Sequence, residues 1–265
     1  MRSKLVNFTL IIFYTLLLGA LYQVLLSWRD IDAQGEVAVL EIDKRLDAMF
    51  AELEGFRDVP DVCSSEFRLR AQRQVYTSLD LRSIVVGYPE GEFPNFCGGL
   101  GSYSQRLDSN FWHFAVKDDY VMGLLKVTAY RDDPSVAIGQ YHGEAVTLGI
   151  VNPRIMLGRW LEPFQKTVSI RLYLDDRSHP ILSRAAQAQP SRRHGFSHRE
   201  ITNDFSSEKY PYSVSVSMSY GIIAEHIIEF AQRLVKVIAV LILVALIAVI
   251  GLIQFGSAKR EIYSK

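Results

Sequence analysis

The sequence lacks most of the residue patterns on which enzyme chemistry and nucleic-acid binding depend. Its only two cysteines, Cys63 and Cys97, do not form a Cys-x-x-Cys pair, which argues against a thioredoxin-like oxidoreductase and against common zinc sites. A glycine-rich phosphate loop, a Gly-x-Ser-x-Gly elbow and a His-Glu-x-x-His sequence are absent. The 29 basic and 29 acidic residues cancel, so no overall field favours nucleic acid. We therefore predict no catalytic residues, no cofactor, no metal and no nucleic-acid partner.

The histidines offer two weaker candidates for chemistry. His113 and His142 are candidates for a base that would activate a cysteine nucleophile. His194 and His198 lie four residues apart in a polar, arginine-rich stretch, as two ligands of a metal site would. Because the surrounding stretch is polar, we interpret the second pair as solvated loop histidines.

Long apolar runs are what the sequence does contain. Uncharged residues extend from Leu5 to Leu26 and from Val237 to Phe255, and crossing a membrane takes about 20 helical residues. The first run continues past the lengths typical of a signal peptide. We predict transmembrane helices at 5–26 and 234–255, and the basic residues at both ends of the chain favour a cytoplasmic N-terminus at 1–4 and a short cytoplasmic tail at 256–265. The segment 27–233 would then lie outside the cytoplasm.

This outer segment has the pattern of an α+β domain built on an antiparallel sheet. A helical stalk at about 36–54 places apolar residues at spacings of three and four, with Gly35 as a candidate joint, and a second helix is predicted at 61–77. Strand-like runs follow at 81–87, 93–97, 111–116, 121–130, 136–141, 145–151, 168–174 and 214–218. A helix at about 153–161 interrupts the strands, the polar stretch 183–209 has the least pattern, and a helix at 222–230 leads into the second span.

The two cysteines are expected to form a disulfide, because thiols are normally oxidised outside the cytoplasm. A ring of this size stabilises a domain by roughly 3.5 to 4 kcal/mol on the loop-entropy model. Asp61 or Ser64 is positioned to cap the second helix, so Cys63 would lie at its positive end, which favours a thiolate and makes the disulfide more reducible. A structural disulfide and a redox switch both remain open on these residues.

Two spans around an extracytoplasmic segment, the triplet Cys63-Ser64-Ser65 and a second cysteine after a hairpin resemble the CSS-motif sensory domain. The similar segment between the cysteines reads RSIVVGYPEGEFPNFC. In that family the domain stands N-terminal to a cytoplasmic EAL domain, a cyclic-di-GMP phosphodiesterase of Gram-negative bacteria. The family triplet often falls on the second cysteine, whereas here Cys97 is followed by two glycines.

The resemblance implies periplasmic thiol/disulfide control of a phosphodiesterase from the inner membrane, with the EAL domain absent from these residues. Implied partners are a second copy of the chain or a protein that carries an EAL domain, together with periplasmic thiol-disulfide oxidoreductases. The alternatives are a Cache-like or PAS-like module that binds a small ligand and has a purely structural disulfide, and the remnant of a truncated phosphodiesterase.

Overall fold

A computed structural model of the chain describes residues 2–57, 61, 63–88, 95–99, 101–103, 113–125, 135–151, 155–161, 164, 166–174, 180–186 and 199–262. The described helices are α1 (Arg2–Glu54), α2 (Ser65–Thr77), a π-helical turn at Met156–Trp160, and α3 (Tyr220–Ile262). The described strands are β1 (Leu81–Tyr88), β2 (Asn95–Gly98), β3 (Gly101–Tyr103), β4 (His113–Lys117), β5 (Tyr120–Leu125), β6 (Ser135–His142), β7 (Ala145–Val151), β8 (Ser169–Leu174), β9 (Pro180–Arg184), β10 (Glu200–Ser206) and β11 (Tyr212–Ser219).

The strands form two antiparallel sheets, which confirms the predicted α+β class. The larger sheet has the order β3-β2-β1-β7-β6-β5-β4, and the smaller has the order β10-β11-β8-β9. The chain divides into two compact units, one of Arg29–Gln189 and Glu200–Ser219, the other of Met1–Trp28, Pro190–Arg199 and Tyr220–Lys265. Both sheets belong to the first, the sheet unit, and the second is the helical unit.

Within the sheet unit, the end of α1 is buried against its own domain, as the apolar spacing predicts. Ile42, Leu46, Met49 and Leu53 are all buried. At Gly149 of β7 an added Cβ would meet Leu53 at 3.3 Å, so this part of the helix lies over the larger sheet.

The expected joint at Gly35 is wrong, because α1 runs through this residue without a break. A Cβ at this position would overlap the ring of Phe205 in β10. The glycine therefore serves a close approach between the helix and the smaller sheet, and not a bend.

Several other expectations need correction where residues are described. The polar stretch 183–209 contains the end of β9 and all of β10, because an edge strand takes its backbone hydrogen bonds from a neighbour and needs only one apolar face. Where it is described, the expected helix at 153–161 is π-helical, at Met156–Trp160. The histidines at 194 and 198 lie outside the described residues.

In the helical unit, both long helices contain a stretch long and apolar enough to cross a membrane. The predicted spans at 5–26 and 234–255 lie within α1 and α3. Large apolar side chains such as Leu18, Leu21 and Ile247 are exposed along them, as expected for surfaces that face lipid. A Cβ at Gly19 of α1 would overlap the ring of Phe230 in α3, so the two helices touch at this glycine.

We predict that Gly35→Ala destabilises the protein, although alanine is the better helix former by about 1 kcal/mol. The methyl group would collide with the Phe205 ring, and overpacking of this kind costs about 1–3 kcal/mol. Urea unfolding in detergent measures the change. The matched control is the same substitution in a Phe205→Ala background, where the collision is gone and alanine should stabilise. A stabilising effect in the wild-type background would contradict the packing described.

Candidate functional site

The candidate site is the disulfide between Cys63 and Cys97, with the α2 N-terminus that holds its first cysteine. Ser64 is the N-cap of α2, and its Oγ accepts a hydrogen bond from the Phe67 amide at 3.1 Å. The Cys63 amide donates to Asp61 Oδ1 at 3.1 Å. The bond from Phe67 satisfies an amide that the first helical turn leaves without a partner, and the bond from Cys63 fixes the backbone just before the cap. Ser64 therefore has a structural role, while Ser65 begins the helix.

Cys97 lies within β2, and the two cysteines form the disulfide expected from the sequence, with Cα atoms 5.3 Å apart. Strand β2 pairs with β1 on one side and with β3 on the other, so Cys97 lies in a strand that has a neighbour on both sides. The two cysteine residues differ in their exposure: Cys63 is exposed, whereas Cys97 is only 2% exposed.

A second contact joins α2 to the same hairpin independently of the disulfide. Gln72 Nε2 donates to the Gly99 carbonyl oxygen at 2.6 Å. A Cβ at Gly99 would lie 3.2 Å from Gln72 Cγ and 3.7 Å from Ala71. The glycine after β2 therefore allows the helix to approach the strand closely, and this contact would remain after reduction.

The disulfide stands at one end of a row of cross-strand neighbours on a single face of the larger sheet. Directly opposed residues of antiparallel strands share a face and lie about 4.5–5.5 Å apart at Cβ. We name this series the cross-strand row, and its members, from β2 to β4, are Cys97, Val86, Thr147, Gln140, Tyr120 and Lys117.

The row contains a buried hydroxyl. Thr147 is 2% exposed, and its Oγ1 has no hydrogen-bond partner within the part of the chain that the structure describes. An unsatisfied buried hydroxyl costs free energy that a rearranged neighbour could recover.

The far end of the row reaches the turn between β10 and β11. Lys117 Nζ donates to the Ser207 carbonyl oxygen at 2.9 Å. The Tyr120 ring makes edge contacts with Phe50 of α1 and Tyr210 of the turn, with centroids 4.8 and 4.9 Å away. The row thus connects the disulfide to both α1 and the smaller sheet.

The same turn is bound to α1 by carboxylates one helical turn apart. Asp43 accepts hydrogen bonds from Ser207 Oγ at 2.8 Å and from the Tyr212 hydroxyl at 2.6 Å. Asp47 accepts from Lys209 Nζ and from the Tyr210 hydroxyl, both at 2.5 Å. We call these residues the α1 polar network.

The electrostatics of this network follow from its hydrogen bonds. The bonds from Lys209 and Tyr210 hold the pKa of the Asp47 carboxyl below its usual value, and the bond to Asp47 raises the pKa of Lys209. Burial raises the pKa of the Tyr210 and Tyr212 hydroxyls, and their carboxylate partners raise it further. Both tyrosines therefore stay protonated as donors.

The α1 polar network was not predicted from the sequence, because only the apolar positions of the stalk were used to place the helix. Asp43 and Asp47 lie beside the apolar face, and their spacing of four was the available signal. Their partners lie more than 160 positions away. No free thiol is available to the candidate bases His113 and His142, because both cysteines are in the disulfide. Among the described residues, no three His, Cys, Asp or Glu gather as metal ligands would.

Comparison with known proteins adds no family to this description. No protein-family model matches the chain, and no curated protein is significantly similar to it.

We predict that Asp43→Ala lowers the free energy of unfolding by about 1–3 kcal/mol, because it leaves the buried Ser207 hydroxyl without its acceptor and the Tyr212 hydroxyl with only the Val39 carbonyl oxygen. In a double-mutant cycle with Tyr212→Phe, the two losses should be non-additive by about 0.5–3 kcal/mol. Chemical unfolding measures both quantities. Lys44→Ala, an exposed change on the same helix, is the control and should stay within about 0.5 kcal/mol. Additive losses would show that the bond carries little energy.

The Asp47–Lys209 pair predicts a pH dependence. The lowered pKa of Asp47 means that its contribution is present above the unfolded value near 4 and is lost as pH falls through the folded value. The raised pKa of Lys209 means that its contribution is present below about 10 and is lost at higher pH.

Because the pair is half-exposed, solvent screening limits the effect to about 1 kcal/mol. Asp47→Asn should therefore cost up to that amount at pH 7 and less at pH 3, where protonation of the carboxyl removes part of the contribution. Unfolding midpoints at both pH values test this, with Glu36→Gln on the exposed face of α1 as the control. A cost that is the same at both pH values would contradict the charge assignment.

Proposed function

We propose that the chain is a membrane-anchored sensory protein whose sheet unit responds to the thiol/disulfide state of Cys63 and Cys97. One observation carries the proposal. The disulfide lies at the β2 end of the cross-strand row. At the other end of the row, Tyr120 contacts α1 and Lys117 binds the β10–β11 turn. A change at the sulphurs therefore has a packed connection to the two elements that continue as apolar helices.

The position in the cell belongs to the same proposal. Apolar stretches of α1 and α3 bracket the sheet unit in sequence, and the terminal basic residues favour cytoplasmic ends. The protein would be a multi-pass protein of the bacterial inner membrane with the sheet unit in the periplasm. That compartment is kept oxidising, so the disulfide state would be the resting state.

The proposed switch has two arrangements, one with the disulfide closed and one with it open. With the bond closed, the start of α2 is tied to β2; with it open, Gln72 and Gly99 still hold the middle of the helix. The first turn of α2 is then released, and the Cys97 thiol and its row neighbours Val86 and Thr147 repack. The shift would reach the β10–β11 turn through Tyr120 and Lys117.

The available free energy is sufficient for such a switch. A disulfide that closes this ring stabilises by roughly 3.5–4 kcal/mol, which corresponds to a population change of about 300-fold or more. Coupling between sites in proteins is typically about 1–3 kcal/mol, so only part of the effect has to reach α1.

The output is the finer part of the proposal. We assign it to cyclic-di-GMP signalling, with a phosphodiesterase controlled through the two spans, in a homodimer or with a partner that carries an EAL domain. The support is the likeness of the CSS-type arrangement described for the sequence. The absence of a linker between the sheets and the apolar helices is consistent with this output. Helix α1 runs unbroken from Arg2 to Glu54, and β11 ends at the residue before α3 begins.

We expect reduction to increase amide hydrogen exchange at two places, around Cys63 and in the β10–β11 turn with the facing turns of α1. The control is the Cys63→Ser/Cys97→Ser variant, in which exchange should be insensitive to reductant. The reduction potential is measured in parallel and should lie above about −300 mV, the range below which disulfides are inert. A lower potential, or exchange that changes only between Cys63 and Gly99, would mean a structural disulfide and would favour a ligand-binding sensor.

A further inference from the structure

The two sulphur atoms of the disulfide differ in how an external thiolate can reach them. Exchange requires the thiolate to attack one sulphur while the other leaves. Cys97 is 2% exposed and lies in a strand paired on both sides, whereas Cys63 is exposed just before α2. Attack from outside therefore reaches Cys63 and displaces Cys97.

An exposed stripe of α2 begins beside that sulphur. Its members follow one another at helical spacings of four, four and three, so they share a face; they are Ser65, Leu69, Arg73 and Tyr76, and we call them the α2 stripe. Leu69 is 65% exposed and Tyr76 is 91% exposed. Leu79, which follows the helix, is 72% exposed. Leu69 and Tyr76 lie about two helical turns apart on this face with Arg73 between them, so the face presents both apolar and cationic side chains to a partner.

The charge of α2 restricts what would bind there. The helix carries Arg68, Arg70 and Arg73 against a single acid, Glu66, and Arg70 lies over the Phe56 ring at 5.2 Å. The Asp61 carboxylate lies at the cysteine end, so the positive charge is concentrated along the body of the helix. A partner with an acidic and apolar surface would complement it.

We propose that the α2 stripe is the docking surface for a dithiol protein whose thiolate attacks Cys63. The inference rests on the proposed redox function and names the partner of the same site. A disulfide is cleaved by a thiolate nucleophile. A small thiol needs access only to Cys63, whereas a protein that carries the thiolate would also contact the α2 stripe. The chemistry and the surface together therefore indicate a protein partner that is apolar and acidic around its reactive cysteine.

The exchange balances in two steps. The partner thiolate attacks Cys63 Sγ, the Cys63–Cys97 bond breaks, and Cys97 leaves as a thiolate that takes a proton from solvent because burial disfavours its charge. The second thiolate of the partner then attacks the partner sulphur of the mixed disulfide and releases Cys63 as a thiolate. Two electrons pass from the partner dithiol to this disulfide, and the reverse sequence oxidises the protein.

The attacked sulphur is identified by trapping. Oxidised full-length protein in detergent is mixed with thioredoxin that lacks its second active-site cysteine, so that the mixed disulfide accumulates. Peptide mapping should find the adduct on Cys63, with Cys97 free to be alkylated. An adduct on Cys97, or equal adducts on both, would overturn the proposal.

The docking surface is identified by comparing a protein reductant with a small one. Second-order rate constants are measured with reduced thioredoxin and with dithiothreitol. Leu69→Ser/Tyr76→Ser should lower the rate constant for reduction by thioredoxin by about fivefold or more, as truncation of interface side chains does. Arg73→Glu should also lower this rate constant, because it reverses the charge that an acidic partner would contact. The rate constant with dithiothreitol should stay within about twofold for both variants, because this reductant needs access only to Cys63.

The matched control is Leu40→Ser, a change at an equally exposed apolar residue (71%) of α1. It should alter neither rate, and circular dichroism checks that α2 stays helical in the stripe variants. Equal rates for wild type and the Leu69/Tyr76 variant with thioredoxin would overturn the docking surface, as would equal slowing with both reductants. These results are independent of hydrogen exchange in the β10–β11 turn, so failure of docking and failure of the sensory function are distinguishable.

Discussion

Burial of one face of α1 against both sheets is the contact on which the sheet unit depends. The helix crosses from the smaller sheet, where Gly35 meets Phe205, to the larger sheet, where Leu53 lies over β7. Each sheet therefore completes its core with the same helix. A helix that is shared in this way transmits any change in either sheet as a change in its own position, since close-packed interiors shift between discrete arrangements and do not deform smoothly.

The α1 polar network determines which arrangement this helix adopts. An apolar stripe alone would tolerate a shift by one helical turn, because residues at similar spacing would replace one another. Asp43 and Asp47 remove that freedom, since a shift would separate them from Ser207, Tyr212, Lys209 and Tyr210 and leave buried hydroxyls without acceptors. In this protein a few polar groups thus set the register of an otherwise apolar contact.

The cysteine pair illustrates how far pattern reasoning reaches into a site. The disulfide, the capping role of Ser64 and the buried face of the stalk all follow from local spacing and from the expected compartment. The position of Cys97 in a strand paired on both sides does not, because β3 is a short strand with weak propensity that forms by pairing with β2. The cross-strand row depends on the register of five strand pairs across the sheet, and register is decided by which strands become neighbours.

The sequence alone determined the features that arise within one element: two apolar helices, an α+β pattern between them, and a capped helix start close to Cys63, with Asp61 and Ser64 as the candidate caps. Hydrophobic periodicity and capping chemistry act over a few residues, so they are legible in the chain. Only the tertiary structure decided that Asp43 meets Tyr212, that Gly35 receives Phe205 and that Cys97 lines up with Tyr120. These pairs are formed by non-local packing, whose energy depends on neighbours that no stretch of sequence contains.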